Sequence, residues 1–308
     1  MNGWQSIDKL EDLQHHYPSE SSCVPFLFEL KWPQGFVCPR CRHTGVYIIR
    51  TRRLPLYECR ACHHQTSLTA GTVMEGSRTP LRKWLTAFWL VSRSDTGINA
   101  VQLSSVLKVT YKTAWSILHK IRIAISRDDS NRSLNAPVQG IVTFLGRSFR
   151  PTSNTLSLHP QECPLIVSTS ATPDEENIVL KMKLVNRKYM SGKLLLRSGC
   201  DNFIAHHVSE SVPEVSIIRQ DFRVKRSSRL YRAFSQARRW LNDTFHGLGE
   251  KHLQLYLDEY CFRHNASAHH ESAWGRLLDL CMSTDTGSVT RYCSTPNPSQ
   301  HAPYRRAV

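Results

Sequence analysis

Apolar residues recur at helical spacing after Thr79-Pro80, at Leu81, Trp84, Leu85, Phe88 and Trp89, which predicts a helix with Thr79 as cap and proline at its first position. A second short helical pattern runs through Val101, Leu103, Val106 and Leu107. After Lys108-Val109-Thr110, a third runs from Tyr111 through Trp115, Leu118 and Ile121 to Ile125. The pattern then changes character. Apolar runs at 137–145, 164–168, 178–185, 193–196 and 215–218 read as strands, and a long helical pattern follows from near Leu230. A mixed sheet flanked by helices is expected. From about Ala266 one short helical pattern remains, Trp274 to Cys281, before a polar, proline-bearing stretch to Val308 that is expected to be mostly disordered.

Ahead of these elements stand Cys38-Pro39-Arg40-Cys41 and Cys59-Arg60-Ala61-Cys62, with 17 residues between Cys41 and Cys59. That is the spacing of a four-thiolate zinc site, in which each CxxC forms a tight knuckle and turns two sulfurs towards one ion. Val46-Tyr47-Ile48-Ile49 and Leu54-Pro55-Leu56-Tyr57 read as the hairpin that joins the knuckles. The metal's expected role is structural, holding a module too small for its own core. His43, His63 and His64 adjoin the knuckles and are expected to be exposed neighbours. Towards the other end Cys163, Cys200, Cys261, Cys281 and Cys293 form no further CxxC and read as small buried side chains. The pair His206-His207 reads as surface.

Charge changes the picture further. The 308 residues carry 40 Lys+Arg against 25 Asp+Glu, a formal net charge of +15. Residues 1–35 hold two bases and five acids, 36–127 fifteen bases and three acids, and 128–308 twenty-three and seventeen. A solubility device would spread its charge. Concentration in the ribbon and the helices after it suits a phosphate-binding surface, with double-stranded DNA as partner. No window approaches the ~20 apolar residues needed to span a bilayer, and the polar start is unlike a signal peptide, so a cytoplasmic, DNA-associated protein is expected. Two helices joined by the short turn at 108–110 suit a helix-turn-helix, whose later helix enters the major groove. Tyr111, Lys112, Thr113, Ser116 and Lys120 would then face bases or phosphates, and Arg40, Arg42, Arg50, Arg52, Arg53 and Arg60 would surround the ribbon's contact.

Several stretches together resemble one family. They are 32–41, from Trp32-Pro33-Gln34-Gly35 to Cys41; Gln65-Thr66-Ser67-Leu68-Thr69-Ala70-Gly71-Thr72-Val73-Met74; and Tyr111-Lys112-Thr113-Ala114-Trp115 with His119-Lys120-Ile121-Arg122. Towards the other end they are Arg239-Trp240-Leu241 with Thr244-Phe245-His246-Gly247, and Lys251-His252-Leu253-Gln254 with Tyr256-Leu257-Asp258-Glu259 and Phe262-Arg263-His264-Asn265. In order and spacing these resemble the bacterial insertion-sequence transposases of the fifteen-ninety-five group. The resemblance implies an α+β multidomain chain: a lead-in over 1–35, a zinc ribbon over 36–76, a helix-turn-helix segment over 77–130, an RNase H-like mixed α/β domain over 135–268 and a tail over 269–308. It also implies a DDE-type acid set that uses Mg²⁺ to cut and join DNA, and it leaves a homodimer open.

The acids depart from that pattern. Two-metal phosphoryl transfer needs carboxylates that hold two cations about 4 Å apart. The family's first acid falls on Ile141, and an isoleucine has no lone pair to offer a hard cation. The second falls on Ser198, before Gly199, with Asp221 as the rival alignment. The third falls on Gln236, and the family's neighbouring lysine becomes Arg238. Asp201, Asp221 and Glu259 are the possible substitutes. The expectation is a transposase-derived DNA-binding protein with strand transfer lost; the alternative is an active transposase with rearranged acids around Mg²⁺.

Overall fold

The computed structural model describes residues 9–93, 97–146, 158–171, 178–268 and 272–283. They divide into two compact units, the first of residues 9–124 with 272–283, the second of residues 125–268.

The first unit opens with two helices that the apolar pattern did not mark, α1 (Leu10–His16) and α2 (Glu20–Lys31). Ser19 caps α2 in a capping box: the Ser22 N–H donates to the Ser19 hydroxyl and the Ser19 N–H to the Ser22 hydroxyl, both at 3.2 Å. This stretch, read as a lead-in, is built into the ribbon. Phe28 and Trp32, with Phe36, gather on Tyr57, with ring centroids 5.0–6.2 Å apart. The ribbon is an antiparallel meander of β1 (Val46–Ile49), β2 (Leu56–Cys59) and β3 (Gln65–Ser67), with Val46 opposite Cys59 and Leu56 opposite Ser67. β2 lies two residues later than the sequence pattern placed it, because Pro55 has no N–H for the ladder and stands just before the strand.

Three helices follow: α3 (Leu81–Ser92), α4 (Ala100–Leu107) and α5 (Tyr111–Asn131). α3 starts one residue late by sequence expectation, since Pro80 and not Thr79 is its N-cap residue. The Leu81 N–H is received by a carboxylate oxygen of Glu20 at 3.1 Å. Asn99 and Gln102 form a capping box on α4, with Gln102 N–H to Asn99 Oδ1 at 2.9 Å. Lys108 ends α4 in the left-handed region at φ 50°, and the Thr110 hydroxyl receives the Thr113 N–H at 3.3 Å to open α5. The boundary between units falls within α5.

The second unit carries β4 (Val138–Leu145), β5 (Cys163–Ala171), β6 (Ile178–Leu184), the short β7 (Met190–Ser191) and β8 (Leu194–Leu195), α6 (Arg197–His207), β9 (Val215–Ile218), α7 (Arg229–Phe245) and α8 (Glu250–Ala268). The main sheet has the order β6-β5-β4-β9; β4 is antiparallel to β5, β5 to β6, and β4 is parallel to β9. The run at 193–196 pairs with β7 instead of extending this sheet. Alternation along β4 makes two cores. Ile141 and Leu145 join Val167, Met182 and residues of α7 and α8, such as Phe234 and Leu257. Val138 and Val142 join Ile166, Leu195 and Phe203 on the other face.

The chain ends its described course in α9 (Ala273–Ser283), which belongs to the first unit and packs on α2 and α3. Trp274, Leu277, Leu278, Cys281 and Met282 are buried there, and Val73 donates its N–H to the Cys281 carbonyl at 3.0 Å. The first part of the expected tail is therefore core. The rest of that tail, with Cys293, lies outside the described residues. Cys163, Cys261 and Cys281 are buried as expected, and Cys200 is half-buried.

Candidate functional site

The ribbon sets its cysteines through two matching knuckles. Arg42 donates its N–H to the Cys38 carbonyl at 2.9 Å and Cys38 donates to the His43 carbonyl at 3.0 Å; His63 to Cys59 and Cys59 to His64 repeat this, both at 3.0 Å. Each turn needs one residue in the left-handed region, Arg42 at φ 61° and His63 at φ 53°. The four Sγ atoms of Cys38, Cys41, Cys59 and Cys62 lie within 4.8 Å of one another, with 3.6 Å for Cys38 to Cys62 and 3.5 Å for Cys41 to Cys59. A tetrahedral ion with Zn–S near 2.3 Å asks for sulfurs about 3.8 Å apart. Four soft thiolates at that separation fit Zn²⁺, which would hold both knuckles together. His43 and His63 are exposed; the His63 Nδ1 lies 3.5 Å from Glu58.

Around this centre, Arg40, Arg42, Arg50 and Arg52 are exposed, and Arg60 is exposed over the Tyr47 ring at 4.7 Å. Arg53 differs, lying 3.7 Å from Glu20 and donating to the Arg78 carbonyl at 3.4 Å. On α5, Tyr111 is 57% exposed and Lys112 is exposed. Thr113 and Ser116 are half-buried, and the Thr113 hydroxyl lies 2.9 Å from that of Thr110. Lys120 is half-buried, and its ammonium donates to the Glu75 carbonyl at 2.8 Å, which ties α5 to the segment after the ribbon. Sequence reasoning also missed Lys31, whose ammonium donates to the carbonyls of Ser67, Leu68 and Ala70. Burial lowers its pKa to about 8, against the opposing pull of Glu75.

In the second unit the family's acid positions do not come together as acids. Ile141 is 1% exposed in the core of β4, opposite Ile218 of β9. Ser198 is exposed at the start of α6, the helix that buries Phe203 in the other core; Asp221 follows the end of β9 and lies 3.2 Å from Arg226. Gln236 is exposed on α7, and Asp201 is exposed on α6. Glu259 is fully buried within α8. Among the described residues, the four cysteines form the one group of three or more His, Cys, Asp or Glu side chains close enough to hold an ion.

The neighbouring Asp258 is part of a buried ion network instead. Lys183 pairs with Asp258 at 2.8 Å and with Asp129, and Lys181 reaches Asp129 at 3.1 Å. Ser126 donates to Asp258 at 2.7 Å and Gln254 at 2.8 Å. The same face of α8 closes the free edge of β6: Leu180 exchanges both backbone bonds with the Asn265 amide at 2.8 and 2.9 Å, and Gln254 bridges the Leu184 N–H and the Met182 carbonyl. The motif from Gln254 to Asn265 is thus a structural latch. Lysines in an otherwise apolar strand were its visible signal.

His207, read as surface, is largely enclosed, its ring 5.2 Å from Phe203. Burial, then the Lys183 and Lys181 ammonium groups, push its pKa down to about 3. The fold therefore keeps it neutral, while the unfolded chain protonates it below about 6.5. Stability from this residue is present above that pH and is lost as pH falls towards 3. The denaturation free energy of the second unit is expected to fall by about 1 kcal/mol per pH unit below pH 6 from this residue, and His207→Phe to flatten that slope. An unchanged slope in the variant would assign the pH dependence elsewhere.

A four-thiolate ribbon of this shape defines a zinc-binding module, and residues 18–65 match the transposase zinc-ribbon domain family. Over 124 residues the chain is also 31% identical to the "Uncharacterized protein in transposable element ISH50" of Halobacterium salinarum, covering 40% of this chain and 41% of that relative. The match spans under half of that protein's length. No solved structure matches. These matches relate the chain to transposases of insertion elements. No described helix is long and apolar enough to cross a membrane.

Proposed function

We propose that the chain is a transposase-derived protein that binds duplex DNA through its zinc ribbon and the α4–α5 pair, and that its second unit is an RNase H-like scaffold without metal-dependent strand transfer. The observation that carries the DNA reading is the metal-ready ribbon ringed by exposed Arg40, Arg42, Arg50, Arg52 and Arg60, in a segment with five bases for every acid. The three-residue turn before α5 and the outward Tyr111 and Lys112 support a helix-turn-helix. Strand order β6-β5-β4-β9, with β4 parallel to β9, supports the RNase H-like reading. It also favours Asp221 over Ser198 as the second acid position, since β9 is the strand beside β4. With that assignment the three positions hold Asp221, the buried Ile141 and the exposed Gln236, one carboxylate where two cations need several.

Two measurements test this. Selection from random duplexes with zinc-loaded protein is expected to return a preferred sequence, and Lys112→Ala to weaken binding to all sequences alike, with the salt slope falling by about one. No enrichment of any sequence would remove the sequence-specific reading. A strand-transfer assay with the relative's element ends and Mg²⁺ is expected to give no joined product; joined product dependent on Mg²⁺ and lost in Asp221→Asn would establish the active alternative.

A further inference from the structure

The ribbon sheet has two faces of different kinds. On one, Tyr57, Cys59 and Thr66 are buried, and Tyr57 meets Phe28, Trp32 and Phe36. By alternation the other carries Tyr47, Glu58 and Gln65, which stand directly opposite one another across β1, β2 and β3. Arg60 joins this face. Its N–H donates to the Gly45 carbonyl at 3.0 Å, and its guanidinium lies over the Tyr47 ring, 4.7 Å from the centroid. A Cβ at Gly45 would sit 2.7 Å from the His43 ring and 3.1 Å from the Arg60 stem, so the glycine is what lets that stem cross the strand. Tyr47 is 55% exposed, and Arg60 and Gln65 are exposed. Glu58 accepts from the Gln65 amide at 2.6 Å and lies 3.5 Å from the His63 Nδ1. Arg60 makes no ion pair among the described residues, although Glu58 shares its face.

A surface built only for phosphates would not look like this. Glu58 cancels the charge of Arg60, and a carboxylate at the centre of the sheet repels a phosphate. An open aromatic ring with a guanidinium over it, next to an amide and a carboxylate, is matched instead by a flat, neutral ligand with donors and acceptors on its edge. A nucleobase is such a ligand. Inside a duplex its faces are covered by neighbouring bases, so only an unpaired base offers a face to stack. We propose that Tyr47 and Arg60 form a stacking platform for an unpaired base, so that the ribbon prefers DNA in which a duplex runs into a single-stranded end. The exposed Arg40, Arg42, Arg50 and Arg52 of the same ribbon supply the charge that holds the backbone of such an end. This inference rests on the DNA-binding reading of the ribbon and adds to it the form of DNA that is bound.

The test uses full-length, zinc-loaded protein and two labelled duplexes of the same random sequence, one blunt and one with a short single-stranded overhang, followed by fluorescence anisotropy. The wild type is expected to bind the overhang duplex roughly tenfold more tightly, the effect of one base stacked on an aromatic ring. In Tyr47→Leu, which keeps apolar bulk without a π face, that ratio is expected to fall to about one with zinc content unchanged, while Tyr47→Trp keeps it. The adenine analogue 2-aminopurine, placed in the overhang, reports the contact itself: its fluorescence is quenched on binding to the wild type and not to Tyr47→Leu. If Tyr47→Leu loses zinc, Arg60→Gln is read in its place, with a several-fold loss of the preference expected. Equal affinity of the wild type for the two duplexes, or a preference that survives in folded Tyr47→Leu, overturns the proposal and leaves the DNA reading standing. Failure of the wild type to bind either duplex overturns both.

Discussion

Replacing Cys59 by serine is expected to take zinc from one ion per chain to none and to unfold the segment 18–65. Cys59 is the position where metal and fold meet most directly. It ends β2 opposite Val46, its carbonyl receives the His63 N–H that shapes the second knuckle, and its Sγ lies 3.5 Å from that of Cys41. Three thiolates and a hydroxyl make a much weaker site, and a structural zinc contributes on the order of 10 kcal/mol or more to modules of this kind. The consequence reaches past the knuckles. The aromatic cluster of Phe28, Trp32, Phe36 and Tyr57 rests on β2, so hydrogen exchange should lose its protection in α2 as well as in the strands. Ligand thiols must be deprotonated, so the wild type should also release zinc on acidification. Zinc counted by mass spectrometry under native conditions checks this directly. Retention of one ion per chain by the Cys59→Ser variant would refute the four-thiolate assignment, and loss of zinc on replacing His43 or His64 would point to a different ligand set.

What could be read ahead of the structure follows from where the physical cause lies. The helices α3 to α5 and the strands β4 to β6 announce themselves through apolar period, because each buries a face whose residues are near in sequence. The cysteine spacing likewise fixes a metal site by local geometry alone. α2 was hidden by Glu20-Ser21-Ser22 at its start and Pro25 within it, although the Ser19 capping box is local. α6 was hidden because it buries little besides Gly199 and Phe203. Other features depend on partners no pattern reveals. Glu20 caps α3 from 61 residues away, and Lys120 holds a carbonyl 45 residues back. The choice between Ser198 and Asp221 turns on the parallel partner of β4, which only the fold supplies.

Lys183→Met is expected to destabilise the second unit by about 3–5 kcal/mol at neutral pH, the usual cost of leaving a buried charge without its partner. Lys183 is shared by Asp129 of α5, 54 residues before it in sequence, and Asp258 of α8, 75 residues after it. Burial opposes its charged form, but the two carboxylates outweigh that and hold its pKa well above the ordinary lysine value. A raised lysine pKa contributes stability that is fully present below its ordinary value and is lost only as pH rises through the raised one, so this pair is intact throughout the neutral range. In the variant, Asp129 keeps Lys181, while Asp258, 1% exposed, keeps only the hydroxyl of Ser126 and the amide of Gln254. Its carboxyl must then bind a proton more readily in the folded than in the unfolded chain. The deficit should therefore shrink as pH is lowered from 8 to 5, opposite in sign to the His207 effect over the same range. Adding Asp258→Leu should recover much of the loss, since an apolar pair of similar volume carries no desolvation cost. Denaturant unfolding of the single and double variants at pH 8 and pH 5 measures each term. A single-variant deficit under about 1 kcal/mol that does not change with pH would mean that Asp258 reaches water or another cation, and that the link from α5 through β6 to α8 is packing and not charge.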